Sequence, residues 1–252
     1  MAKKGLFGEL IHAEGGYAHP IGDRWTPWRM AYAQQNSGDV YPTHGIGPAC
    51  KLLNMHKTDR MHYLTSMQTD AFIGTQIYQK VMQTPCSFFA NGDQTSTTIR
   101  TLKGKTILIQ HNVMSPRPYN RMFQVIGTQG YAAKYPTPEI MLSRESAAKV
   151  GIDIDENSVL LSASQIETLL RSFAPDFRPE TINLAKQLDP RGGMSYFMDL
   201  RLAHCLQQGL PLDMDVYDLA EWCSIAELSK LSIEHGSMPV LIPDFTRGAG
   251  FV

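Results

Sequence analysis

Thr95-Ser96-Thr97-Thr98-Ile99-Arg100-Thr101-Leu102-Lys103-Gly104-Lys105-Thr106-Ile107-Leu108-Ile109-Gln110-His111-Asn112-Val113 is the stretch that decides the fold class. β-Branched residues crowd both arms, where they pack well on a pleated surface. Lys103-Gly104 lies between the arms, and glycine supplies the positive φ that a tight hairpin turn needs. The spacing predicts a β-hairpin of Thr95–Leu102 and Thr106–Val113. Alternation is only partial from Thr98 to Leu102, so the pattern leaves the register open. A second hairpin follows, with arms Phe123–Ile126 and Tyr131–Lys134 around Gly127-Thr128-Gln129-Gly130, of the longer-loop kind. Successive hairpins favour an antiparallel sheet with at least one open face.

Upstream, Leu10–Glu14 and Met61–Thr69 read as further strands. Residues 20–40 read as a loop, because Pro20, Gly22, Asp23, Pro27, Asn36, Ser37, Gly38 and Asp39 are turn formers. That loop holds Trp25, Trp28, Arg29 and Tyr32, which suit a binding wall or equally the cover of a core edge. Gly47-Pro48 starts a helix, Ala49–His56, with proline near its first position. Downstream the chain is helical. Ser164-Gln165-Ile166-Glu167 matches a capping box and leads into apolar spacing up to Phe173. Met194–Gln208 is a helix closed by Gly209 and Pro211. Val216–His235 is the clearest: Asp213, Asp215 and Asp218 crowd its start, where the helix dipole favours anions. Val216, Leu219, Ala220, Cys223, Ala226 and Leu231 form its apolar stripe. Strands first and helices last give an α+β class.

The composition bounds the function. Of 252 residues, 23 are Lys or Arg and 24 Asp or Glu, a net charge of −1. That balance gives no electrostatic case for a nucleic acid or an anionic membrane. With 43% hydrophobic and 19% charged residues, the chain is a folding one rather than a disordered one. Cys50, Cys86, Cys205 and Cys223 form no CxxC pair and read as reduced, buried thiols. The start shows no signal-peptide pattern, so the expectation for the chain as it stands is cytoplasmic.

No metal-ligand spacing, nucleophile elbow or phosphate loop is present, and Gly45-Ile46-Gly47 lacks the third glycine of a dinucleotide fingerprint. Two segments carry chemistry. Asp39-Val40-Tyr41-Pro42-Thr43-His44-Gly45-Ile46-Gly47-Pro48 puts Tyr41, Thr43 and His44 on a stiff turn entering a helix N-terminus. Tyr and His there suit proton transfer, although a helix-capping loop with a structurally bonded His fits the same residues. Ser115-Pro116-Arg117-Pro118-Tyr119-Asn120-Arg121 presents Arg117, Tyr119 and Arg121 at a sheet edge. Those side chains suit carboxylate, phosphate or sugar groups, and proline with arginine also blunts a bare edge.

Taken in order, several motifs resemble glycoside hydrolase family 109, the NAD-dependent α-N-acetylgalactosaminidases of the glucose-fructose oxidoreductase (Gfo/Idh/MocA) superfamily. They are Gly8–Tyr17, Trp28-Arg29, Tyr41–Pro48, Ser115–Tyr119, Asp189-Pro190-Arg191-Gly192-Gly193, Gly209–Asp218 and Pro243–Gly248. The resemblance runs from about residue 4 to the end. It implies an open, mostly antiparallel β-sheet with helices on one face and no Rossmann domain. Residues 1–252 would then be a single substrate-binding and dimerisation domain, with a helical part over about 160–236. Tyr17, Arg29, Tyr119 and Tyr41-Pro42-Thr43-His44 match family positions that contact the sugar. Tyr41 also matches a position near the NAD cofactor, and His44 and Tyr41 match catalytic positions.

The resemblance implies that NAD⁺ oxidises the sugar C3 hydroxyl, elimination expels the aglycone, water adds and the ketone is reduced again. The substrate would carry a terminal α-GalNAc-like sugar. The family's open sheet face implies a homodimer. The Pro20–Trp28 loop looks shorter than in other members. The family's glycine-rich Rossmann half would precede Met1, so a Rossmann domain in trans is a further expectation, as is inactivity of the chain alone. With such a half, a periplasmic or secreted location becomes open. A sugar dehydrogenase of the same superfamily, or a non-catalytic sugar-binding or dimerising domain, are the competing expectations.

Overall fold

The computed structural model describes residues 1–174, 179–189 and 192–248. Its strands are β1 (Leu10–Ala18), β2 (Met61–Gln68), β3 (Thr95–Thr101), β4 (Thr106–Asn112), β5 (Gln124–Gly127), β6 (Gly130–Ala133), β7 (Glu139–Ser143), β8 (Ser158–Leu160) and β9 (Val240–Leu241). They form one sheet in the order β8-β7-β6-β5-β1-β4-β3-β2-β9. Among the described residues the neighbours run antiparallel everywhere except at β1–β4, which is parallel. The sheet is therefore open and mostly antiparallel, as expected. Thr98 pairs with Leu108 and Ile99 with Ile107, which settles the register of the first hairpin.

The second hairpin is tighter than its sequence suggests. Gly127 pairs with Gly130, leaving Thr128-Gln129 as a two-residue turn. A Cβ on Gly127 would strike the Phe7 carbonyl oxygen, so only glycine lets the chain's first residues cross here.

The helices are α1 (Pro27–Gln35), α2 (Thr43–Leu52), α3 (Gly74–Met82), α4 (Arg144–Ala148), α5 (Ala163–Ser172), α6 (Pro179–Leu188), α7 (Met194–Gln208) and α8 (Val216–Glu234). α2 and α8 pack on one face of the sheet. Between them lies the core: Leu64, Ile99, Ile107 and Ile109 from the strands meet Ile46 and Ala49 of α2 and Trp222 and Ile225 of α8. Burial of each such side chain is worth about 1.5–3 kcal/mol. A smaller cluster of Met30, Ala33, Tyr78, Phe89, Val113 and Met114 ties α1 and α3 to the end of β4.

Four expectations need correction. First, residues 27–35 are helical, so Trp28, Arg29 and Tyr32 stand on α1 and not on a loop. The turn formers lie at the two ends of 20–40, while Pro27 sits at a helix start, where it is tolerated. Second, the helix expected at Ala49–His56 begins at Thr43, with Pro48 inside it. Proline's preference for a first turn set the boundary too late; here it withholds only one intrahelical N–H. Third, the cap of α5 is Ser162 with Gln165, two residues before the expected box.

Fourth, α8 is turned over. Val216 is 68% and Leu219 57% exposed, whereas Asp218, Glu221, Trp222, Ile225, Ser229 and Ser232 face inward. The inward carboxylates and serines are all engaged. Asp218 accepts the Asp215 N–H and pairs with Lys51, Glu221 pairs with His56 at 2.9 Å, and Ser232 Oγ accepts the Ser66 N–H at 2.9 Å. Paired polar groups can be buried at little cost, so the inward face of a helix need not be its oiliest. On α7, Met194, Met198, Leu202 and Leu206 are exposed as well. The cysteines are free; Cys50 and Cys205 are buried as expected, Cys86 is half-buried, and Cys223 is exposed. Among the described residues no helix is long and apolar enough to cross a membrane.

Candidate functional site

The site is built where α2 crosses β1. A Cβ on Gly15 would collide with the Gly45 carbonyl, so these two glycines let helix and strand touch backbone to backbone. That approach sets His44, in the first turn of α2, over Tyr17 of β1, with ring centroids 4.5 Å apart. Tyr41, just before the helix, lies 4.7 Å from His44 and 5.4 Å from Tyr17. Three rings from two elements thus meet. His19, just past the end of β1, is 4.7 Å from Tyr17 and 5.4 Å from Tyr119. The bridge between Ala18 and Asn120 holds the Tyr119 segment against the end of β1.

Beside the rings is a cavity of about 330 Å³, lined by Tyr17, Tyr41, His111, Trp25, Trp28 and Arg29 among others. Its volume suits one sugar ring, and its mix of aromatic faces with the guanidiniums of Arg24 and Arg29 suits C–H faces and hydroxyls. Among the described residues that line it there is no carboxylate. Arg29 stacks on Trp28 at 4.6 Å and donates to Thr26 Oγ1 at 3.3 Å. Pro42 is the N-cap of α2 and Thr43 its first residue. The structure therefore brings Tyr17, Arg29 and Tyr41 into one cavity, with His44 and Tyr119 at its side through ring contacts. Arg117, expected beside them, makes no described contact with these rings.

The loop before α2 is fixed from below. Asp39 N–H donates to Ser229 Oγ at 2.9 Å, Asn91 Nδ2 donates to the Gly38 carbonyl at 2.9 Å, and Tyr41 N–H donates to Asp39 Oδ1 at 3.1 Å. The inward serines of α8 therefore support the site. Ser229→Ala would leave the buried Asp39 N–H unpaired, an expected loss of about 1–3 kcal/mol in denaturant unfolding. No loss would mean the loop stands without α8.

Residues 22–251 match the family model described as glycosyl hydrolase 109, C-terminal domain. The chain belongs to glycosyl hydrolase family 109. Glycosyl hydrolase family 109 protein 1 of Bacteroides fragilis is 51% identical over 258 residues, covering 99% of this chain and 55% of that protein. The Bacteroides thetaiotaomicron protein of the same name is 49% identical over 262 residues, covering 98% and 55%. The family 109 chain thus spans about half the length of the curated relatives it matches. Among solved structures, a levoglucosan dehydrogenase complexed with NADH and L-sorbose superposes with a TM-score of 0.61 at 12% identity, over 96% of this chain and 61% of that one. An oxidoreductase domain protein from Kribbella flavida gives 0.59 at 13%, over 96% and 61%. At such identities the likeness shows the fold alone.

Burial dominates the electrostatics of the family 109 site. It lowers His44 to about 4, helped by the positive charge of Arg121 and by His19. His111, paired in register with Tyr17 and only 3% exposed, is likewise lowered to about 4 by burial, then by His19 and His44. Burial raises Asp39 to about 7, against the hydrogen bond from Tyr41. At neutral pH both imidazoles are therefore uncharged.

His111 gives this chain an acid-labile element. The unfolded chain binds that proton near 6.5, the folded chain only near 4, so protons favour unfolding across that window. The stability present above about 6.5 is lost as pH falls toward 4; Asp39 works in the opposite sense. The melting temperature of His111→Gln is expected to fall less between those pH values than that of wild type. Parallel curves would show that His111 protonates freely in the folded chain.

His19 and His111 were not singled out from sequence. Their signal was available: His19 follows Tyr17 by two residues, and His111 ends the deciding hairpin. Yet only the parallel β1–β4 pairing puts them side by side. The Asp189–Gly193 motif falls partly outside the described residues, at Pro190 and Arg191. The Pro243–Gly248 motif is a turn knitted by Asp244, which accepts the Thr246 and Gly248 N–H groups and pairs with Arg60.

The glycines of Gly45-Ile46-Gly47 do not form a dinucleotide cradle. Gly45 is packed on Gly15, and a Cβ on Gly47 would lie 3.0 Å from the Trp222 ring. Helix-to-core packing occupies both, so the chain's residues do not fit the phosphates of NAD there.

Proposed function

We propose that this family 109 chain is the substrate-holding half of an NAD-dependent α-N-acetylgalactosaminidase-like glycosidase. The observation that carries this is the convergence of Tyr17, Tyr41 and His44 beside a sugar-sized cavity that also holds Arg29. His44, neutral at physiological pH, takes and returns protons at the sugar as acid/base. Tyr41 is its partner and the residue nearest the nicotinamide. Tyr17, Arg29, Pro42, Thr43 and Tyr119 hold the sugar. A bound nicotinamide supplies hydride acceptance at the sugar C3, and this chain supplies orientation and proton transfer.

The dinucleotide belongs to a Rossmann domain outside this chain. Two features support that division: the glycines spent on packing, and the apolar side chains left exposed on α7 (Met194, Met198, Leu202 and Leu206) and on α8 (Val216 and Leu219). Exposed apolar side chains in such number suit a docking face. The chain acts as one domain that pairs with a second copy through the open sheet face, where Met67, Met141 and Leu160 are exposed. Calorimetry of the isolated chain with NAD is expected to show no tight binding. Tight binding would overturn the division of labour. Net NADH accumulation on free sugars by the full-length protein, with no aglycone release, would favour the dehydrogenase reading.

A further inference from the structure

We infer that Arg121 is a positioning residue of this site, its guanidinium holding the Tyr17 ring beside His44 and the Tyr119 ring beside His19. Its Nε–H donates to Tyr119 Oη at 2.6 Å, and its Cζ lies 5.2 Å from the Tyr17 ring centroid and 5.5 Å from that of Tyr119. One planar cation thus faces two phenol rings, an arrangement suited to arginine and not to lysine.

The backbone points the same way. Met122 and Phe123, directly after Arg121, have φ of 59° and 42°, and neither is glycine. Consecutive left-handed residues persist only where their surroundings impose them. Here the surroundings are β1. Asn120 exchanges backbone bonds of 2.8 and 3.0 Å with Ala18, and its Oδ1 accepts the Met122 N–H. The Met122 side chain lies over Gly16, where a Cβ would come within 2.8 Å of its sulfur. Asn120 and Met122 are pinned to β1, so Arg121 between them is held at the ring cluster.

The groups around His44 are Tyr17 of β1, His19 just past that strand with Arg24 against its ring, Tyr41 at the head of α2, His111 from β4 and Arg121. Of the two arginines, Arg121 is the one that adds to burial in disfavouring the imidazolium. Arg121 thereby orients the sugar-facing phenols and keeps His44 ready to accept a proton. This role rests on the function proposed above, but its test does not need activity.

The test is a histidine NMR titration of the whole chain. In wild type His44 is expected to titrate near 4. In Arg121→Gln it is expected to rise by up to roughly one pH unit, because burial, the larger cause of its lowering, stays in place. His111 is the internal control, because its lowering comes from burial and the other histidines, not from Arg121. Arg121→Lys, which keeps the charge, should restore a low His44 value. An unmoved His44 in Arg121→Gln overturns the proposal, and so does a His111 shift as large as that of His44, which would mean general loosening. In an active full-length enzyme, Arg121→Gln should also move the acid limb of the kcat/KM profile up by the same amount. Should no enzyme be active, the titration still decides for or against Arg121, so the two proposals fail separately.

Discussion

Replacing His44 with alanine is expected to remove glycosidase turnover from a full-length family 109 enzyme while leaving the fold standing. His44 is half-buried and belongs to neither core cluster. Its ring meets Tyr17 and Tyr41, and its neutral form is secured by burial and by Arg121. A positioned general acid/base contributes about 10²–10⁴ in rate, so the loss in kcat should be of that order. Release of p-nitrophenol from the α-GalNAc glycoside measures it, and thermal unfolding checks the fold. Near-normal release would remove His44 from the chemistry.

Gly15→Ala should be strongly damaging to the core. Its Cβ would meet the Gly45 carbonyl oxygen, with the Gly45 Cα at 2.9 Å. These are backbone atoms, which cannot swing aside as a side chain does. α2 has to move off β1, opening the contacts of Ile46 and Ala49 with Ile107 and Ile109. Overpacking of this kind costs typically 1–3 kcal/mol and more where backbone must shift, so about 3 kcal/mol is expected here. The same movement separates His44 and Tyr41 from Tyr17. Sugar binding by whatever folded protein remains should therefore weaken too. A loss below about 1 kcal/mol in urea unfolding would show that the helix accommodates the methyl group without moving.

What the sequence shows of this fold follows from how local each signal is. The Thr95–Val113 hairpin and α7 are legible because β-branched arms, a Lys-Gly turn and a terminal Gly209 act within a few residues. α8 was legible as a helix but not in its orientation. Its inward Asp218, Glu221, Ser229 and Ser232 are burial-tolerant only because Lys51, His56, Asp39 and Ser66 lie opposite. Those partners come from as far as 190 positions away in the chain. α1 was hidden because turn formers at both ends of residues 20–40 outweighed the run from Trp28 to Gln35. The short strands β7, β8 and β9 offer too few residues for a period to declare itself.

The candidate site was legible in a different way. Tyr41 and His44 stood out on a stiff turn, and Tyr17, Arg29 and Tyr119 came through resemblance. The structure adds what makes them a unit: the Gly15–Gly45 approach and the parallel β1–β4 pairing. The latter also brings in His111 beside Tyr17, a pairing that the local sequence of neither strand specifies.

A fusion tests the division of labour most directly. The amino-terminal part of the Bacteroides fragilis relative, 51% identical over the region shared with this chain, would be joined in frame before it. The purified fusion would then be assayed with p-nitrophenyl α-GalNAc without added NAD. Release of p-nitrophenol, lost in the Tyr41→Ala and His44→Ala fusions, is the expected result. A fusion that folds and carries NAD yet releases nothing would contradict the assignment of this chain as the sugar-holding half of a glycosidase.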